Sequence, residues 1–173
     1  MKRTFVCLVA LPAALGGCRK ISSNPPSEDI TTCTVAWLSD GDSLHCVEDG
    51  ERVRLLLIDA PESAQVPWGD SAKAALASLL PQGVEARVEY DVERRDDYGR
   101  LLAYLWLDDG RMVNEAMAEA GYVVLLYYPP NGRYRARIEA AVEAARTDHR
   151  GLWATPAFDC LPVDFRAGRC GTD

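Results

Sequence analysis

Asp40, Asp42, Arg54, Asp59 and Glu62 stand close together in a stretch that is otherwise largely apolar. Asp40 and Asp42 flank Gly41 at a turn, and Asp59 and Glu62 close the run 53–58, separated by Ala60-Pro61. Arg54 lies within that apolar run, and a guanidinium withdrawn from water needs an anionic partner. Carboxylates at the ends of two neighbouring strands offer hard oxygen ligands to one divalent cation. A cation and arginines around one point stabilise charge that builds on a phosphoryl group, and a nearby Glu can take a proton from water. Each part alone has a plainer reading: Asp-Gly-Asp is a common surface turn, and Asp before Ala-Pro a common strand exit. The conjunction is what points to chemistry.

The elements that must position these residues read as β first. Residues 33–38, 43–47 and 53–58 are three strands broken at Asp40-Gly41-Asp42 and at Glu48-Asp49-Gly50. Residues 68–80 have helical spacing up to Pro81. Residues 84–92 and 101–107 are two further strands, residues 113–120 a short helix stopped at Gly121, and residues 134–147 an Ala- and Arg-rich helix. This order predicts an α+β domain, a small five-stranded barrel with three helices. Trp153 is expected to anchor the last helix in the core. His45 and His149 are expected to be surface or packing residues.

The segments "DGDS" at 40–43, "RLLLIDAPES" at 54–63 and "DDYGRLLAYLWLDDGRMVNEAMAEAGY" at 96–122 resemble the motifs of the staphylococcal nuclease (thermonuclease) family. The resemblance runs in order over residues 33–153, ending at Gly151-Leu152-Trp153. It implies an oligonucleotide-binding (OB-fold) barrel and a calcium-dependent phosphodiesterase acting on DNA or RNA, leaving 3′-phosphates. By resemblance, Asp42, Asp59 and the Ala60 backbone carbonyl bind calcium, with Asp40 as a supporting carboxylate. Glu62 is the general base or orients the attacking water, and Arg54 and Arg100 bind phosphate. Tyr127 or Tyr128 faces the nucleotide; the spacing before Pro130 leaves the choice open. The chain departs from the family in several places. Ser43 and Ala60 replace threonines, residues 63–70 carry no basic residue, and Asp97 stands where a lysine would help hold a terminal phosphate.

Residues 1–17 have the layout of a lipoprotein-type signal peptide: Lys2 and Arg3, an apolar stretch, then Leu15-Gly16-Gly17 before Cys18. Cys18 is then the site of lipidation; an ordinary signal peptide containing a cysteine is the alternative. Residues 18–31 are a polar, Ser/Pro-rich tether, 32–155 the nuclease-like domain and 156–173 a C-terminal extension. With the leader gone, Cys33, Cys46, Cys160 and Cys170 remain in the domain, an even number that fits two disulfides in an exported chain. Hairpin proximity pairs Cys33 with Cys46, and a short C-terminal loop pairs Cys160 with Cys170. A zinc site is the other reading, without a C-x-x-C pair to favour it. These features predict an exported monomer, either a cell-envelope lipoprotein touching membrane only through a lipid at Cys18 or a secreted protein.

The formal net charge is −7. Nucleic-acid binders usually carry a basic footprint, so the charge favours a second reading, a catalytically silent OB-fold module that binds nucleic acid or another ligand. A third is an envelope protein with a purely structural calcium ion. A silent relative is expected to have lost a carboxylate or an arginine of the set, and a structural ion leaves Arg54 and Arg100 without a purpose.

Overall fold

The computed structural model describes residues 30–156 and 158–170. The signal peptide, nearly all of the tether and Cys18 lie outside the described residues. Five strands form the barrel: β1 (Thr32–Leu38), β2 (Ser43–Cys46), β3 (Arg52–Leu55), β5 (Glu85–Arg95) and β6 (Leu101–Trp106). They close in the order β1-β2-β3-β6-β5, with β3 and β6 parallel and the pairs β1–β2, β2–β3, β5–β6 and β1–β5 antiparallel. Side chains alternate across the pleat. Leu44, Cys46, Val53 and Leu55 fill the barrel core with Val35, Leu101, Ala103 and Leu105. Ser43 pairs with Arg54, and His45 with Arg52, along the opposite face. That alternation is why Arg54 can stand in an apolar strand without entering the barrel interior.

The expected strand over 53–58 is broken. β3 ends at Leu55, and the chain turns through Leu56-Leu57 before β4 (Ile58–Asp59), which pairs with β7 (Val124–Leu125) outside the barrel. Leu57 takes a left-handed conformation, φ 66°, which costs a branched side chain energy and must be enforced by its surroundings. They do enforce it. Leu57 is buried, its carbonyl accepts from the Leu126 N–H, and the Leu56 carbonyl accepts from the side chain of buried Asn114. Continuous apolar composition hid the break, because both halves are buried.

Three helices match the expected ones: α1 (Trp68–Leu79), α2 (Val113–Glu119) and α3 (Arg135–Thr147). A fourth, α4 (Pro162–Arg166), lies in the C-terminal extension and had no counterpart in the sequence reading. Both expected disulfides are present, Cys33–Cys46 linking β1 to β2 and Cys160–Cys170 closing the loop that carries α4. Leu152, not Trp153, is the fully buried anchor after α3. Trp153 is half-buried and packs edge-on against Phe158, which also meets Trp68, so it docks the extension onto the start of α1.

Candidate active site

The turn between β1 and β2 is held by its own carboxylate. Asp40 Oδ1 accepts from the Asp42 N–H at 2.9 Å. The expected supporting carboxylate therefore shapes the turn. Gly41 is required there by packing: a Cβ would lie 2.7 Å from the Cβ atoms of both Ala60 and Ala72. This close approach brings the Asp-Gly-Asp turn against the Asp59–Ala60 segment and α1. Asp42 then reaches across, Oδ2 accepting from the Ala60 N–H at 2.7 Å and Oδ1 from the Ser43 hydroxyl at 3.0 Å.

Arg54 ties the pieces together. Its Nη1 donates to the carbonyls of Leu55 and Ile58, each at 2.7 Å, so one nitrogen spans the strand break. Its Nε lies 3.2 Å from Asp42 Oδ1, and its Nη2 3.2 Å from Asp59 Oδ1. A rigid planar fork makes all of these contacts at once, which a lysine ammonium cannot do. Asp42 and Asp59 are both buried. Burial raises the Asp42 carboxyl above its ordinary value, Arg54 pulls it back down, and the Asp40 charge pushes it up again. A buried carboxylate of this kind gains from a further cation.

Glu62 follows Pro61 and is set by α1. The Glu62 N–H donates to Gln65 Oε1 at 2.9 Å, and the Gln65 N–H returns a bond to the Glu62 carbonyl at 2.8 Å. Gly69 lies so close that a Cβ would come within 2.2 Å of the Glu62 carbonyl oxygen. Arg100 enters from the β5–β6 turn. Asp96 Oδ1 accepts the N–H groups of Tyr98 and Arg100, and Asp96 Oδ2 accepts Arg100 Nε at 2.7 Å. Burial alone would raise Asp96, but the bonds from Arg100 and Tyr98 outweigh it and hold the carboxyl below its ordinary value.

Asp40, Asp42, Arg54, Asp59, Ala60, Glu62 and Arg100 all line one cavity of about 600 Å³. Tyr128 lines it too, whereas Tyr127 packs beneath the Arg135 guanidinium, 4.5 Å from its ring centroid, and against Gly132. Of the two tyrosines, Tyr128 is the one at the cavity. His45 stacks on Trp37 on the outer face of the hairpin, and His149 is exposed.

A cavity arginine bonded directly to Asp59 and Glu62 escaped the sequence reading. Arg166, on α4, places Nη1 3.1 Å from Asp59 Oδ1 and 2.7 Å from Glu62 Oε1, and Nη2 2.8 Å from Asp59 Oδ2. These bonds, those to Asp59 first, hold the guanidinium more firmly protonated than usual. A separation of 107 residues along the chain left no local pattern to find. Its only sequence signal is an arginine inside a short cysteine-closed loop.

The donor set suits a hard divalent cation. Asp42, Asp59 and Ala60 line the cavity together and offer oxygen donors, and the Arg166 guanidinium already sits on Asp59 as a cation. Among the described residues, the one compact trio of cysteine, histidine or carboxylate ligand atoms is Cys33, Cys46 and Glu48, and those sulfurs form a disulfide. Asp42, Asp59 and Glu62 do not make an equally tight trio, so an ion there would keep water among its ligands.

Comparison with known proteins gives the arrangement its family. The chain is 39% identical over 121 residues to the thermonuclease of Staphylococcus intermedius, covering 66% of this chain and 71% of that protein. It is 33% identical over 130 residues to the thermonuclease of Staphylococcus hyicus, covering 71% and 76%. It is also 33% identical over 128 residues to endonuclease YncB of Bacillus subtilis, covering 69% of this chain and 60% of that protein. The family described as staphylococcal nuclease homologue matches residues 52–155, which hold every cavity residue named above except Asp40, Asp42, Ser43 and Arg166. With a closed five-stranded barrel carrying these residues at one end, the chain belongs to the staphylococcal nuclease family.

Proposed function

We propose that this nuclease is a calcium-dependent phosphodiesterase that hydrolyses DNA or RNA in the cavity between the Asp40–Asp42 turn, β4 and the β5–β6 turn. The observation that carries the reading is Arg54, which links Asp42 to Asp59 in a cavity that also receives Glu62 and Arg100. Calcium, held by Asp42, Asp59 and the Ala60 carbonyl, supplies positive charge against the phosphate oxygens when bound.

The chain's own residues do the rest. The scissile phosphodiester sits between Arg54 and Arg100, whose guanidinium groups grip non-bridging oxygens and remain charged as negative charge builds in the transition state. Glu62, half-exposed at the rim, accepts the proton of a water whose oxygen bonds to phosphorus. The bond from phosphorus to the leaving 5′-oxygen breaks, and that oxygen takes a proton from solvent. Tyr128 offers a ring to the adjoining nucleotide. Export fits the two disulfides, and a lipid at Cys18 would keep a monomeric enzyme at the cell envelope. Cys18→Ser is then expected to move the protein out of the membrane fraction; unchanged sedimentation would count against the anchor.

The roles separate in paired assays, single-turnover cleavage and equilibrium binding of a short single-stranded oligonucleotide with calcium. Arg54→Lys keeps charge but loses the fork, and Glu62→Gln keeps shape but loses the base. Each is expected to cut about 100- to 1,000-fold more slowly than the parent. Glu62→Gln is expected to bind the oligonucleotide as the parent does. Variants that cleave like the parent would remove the assignment. A parent that binds but never cleaves would favour the silent-module reading, which the net charge of −7 supports.

A further inference from the structure

The Arg166 contacts have a direction that the proposed reaction does not use. Asp59 is almost wholly enclosed, its side chain 2% exposed, and guanidinium groups occupy both of its oxygens. Oδ1 faces Arg54 and Arg166, and Oδ2 faces Arg166. Oδ1 already takes two N–H donors, and an ion that approaches Oδ2 meets the Arg166 guanidinium there, a like charge that repels it at close range.

The two arginines are not equally free to yield. Arg54 is pinned by two backbone carbonyls and by Asp42, and its side chain is 12% exposed. Arg166 reaches in from the rim, with 39% of its side chain exposed. Its position is fixed at the other end. The Cys160–Cys170 disulfide closes the loop, the Cys160 carbonyl accepts from buried Gln65, and Phe158 packs between Trp68 and Trp153. Gln65 is the residue that also holds the Glu62 backbone, so loop and site share one buried amide.

We propose that Arg166 is a tethered counter-cation of the active site: it holds Asp59 and Glu62 while no ion is bound, and a divalent cation must displace it from Asp59 to bind. This rests on the calcium reading above and deepens it. The tether gives the guanidinium a high effective concentration at Asp59, so the C-terminal loop sets how much calcium the nuclease needs. Charge balance supports the exchange. One cation leaves two acidic groups as another arrives, and the freed guanidinium remains at the cavity mouth, where a substrate phosphate enters.

A plain clamp predicts the opposite. If Arg166 only ordered Asp59 and Glu62, its removal would loosen the ligands and weaken ion binding. The sign of the change therefore decides.

The test is calorimetric titration of the oxidised mature protein with calcium chloride, without substrate. Competition from one partly exposed ion pair is worth a modest factor, so Arg166→Ala and Arg166→Gln are expected to bind calcium about fivefold more tightly than the parent. Arg166→Lys is expected to fall between. In chelator, Arg166→Gln is expected to melt below the parent, and calcium to raise its melting temperature further than it raises the parent's. The Cys160→Ser, Cys170→Ser double variant, with its loop open, is expected to shift toward tighter binding as well. Folded variants that bind calcium as the parent does, or more weakly, would overturn the displacement while leaving the calcium reading intact. Failure of the parent and every variant to bind calcium would overturn both.

Discussion

Asp42 shows how a single side chain couples the site to pH. Burial and the Asp40 charge raise it above an ordinary carboxyl, against the pull of Arg54. An acid whose folded value is raised gains protons on folding, so in ion-free protein stability falls as pH rises from the unfolded aspartate range through the folded Asp42 value. Ion binding runs the other way, because only the ionised carboxylate is a ligand. Calcium affinity is therefore expected to fail on acidification at a pH above the ordinary aspartate range. Titrating calcium across mildly acidic pH tests this; affinity that holds until the ordinary aspartate range is reached would contradict it. Asp42, Arg54, Asp59 and Glu62 were legible as chemistry from their types and spacing beside apolar residues, whereas Arg100, at the end of the charged run 91–100, was legible only through the family resemblance. Arg166 was not, since its meaning lies in a contact made across the molecule. Tyr128 was separable from Tyr127 only once Arg135 and Gly132 were seen to hold the latter.

The short segment 56–59 is the element on which the site turns. It leaves the barrel at Leu55, bends through the left-handed Leu57 and delivers Asp59 beside Asp42. Asn114 on α2 secures it. Its side chain donates to the carbonyls of Leu56 and Ala103 and accepts from the Leu105 N–H, all buried. Asn114→Ala would take this partner from the Leu56 carbonyl and the Leu105 N–H, while the Ala103 carbonyl keeps the Leu56 N–H, at a cost of about 3 kcal/mol. Urea unfolding of ion-free protein is expected to show a lower midpoint at unchanged slope, and a shift under about 1 kcal/mol would contradict the role given to Asn114. The sequence pattern located the barrel strands and the three longer helices because period-2 and helical spacing are local signals. It missed the break in 53–58, where both sides are apolar and buried. It also missed α4, a helix of only five residues whose order comes from the disulfide and Arg169–Asp164 bonds within its loop.

Across the whole molecule, the distribution of charge matters more than its sum. A net charge of −7 opposes the approach of a polyanion, and residues 63–70 offer no basic side chain to offset it. Arg54, Arg100 and Arg166 are instead concentrated at one cavity, where each is paired with a carboxylate. A protein arranged in this way is expected to be a weak nucleic-acid binder until a divalent ion neutralises part of that acidic lining. The barrel strand β3 holds Arg54, the β1–β2 turn and the segment 59–62 bring the carboxylates, the β5–β6 turn brings Arg100, and the disulfide-closed extension brings Arg166, so the site draws on nearly the full length of the described chain. Calcium-dependent cleavage at this cavity is tested most directly by digestion of a nucleic acid with purified mature protein at controlled calcium concentration. Fragments ending in 3′-phosphates are expected with calcium, no cleavage in excess chelator, and loss of cleavage in Asp59→Ala at any calcium concentration. Undiminished cleavage in excess chelator would contradict it.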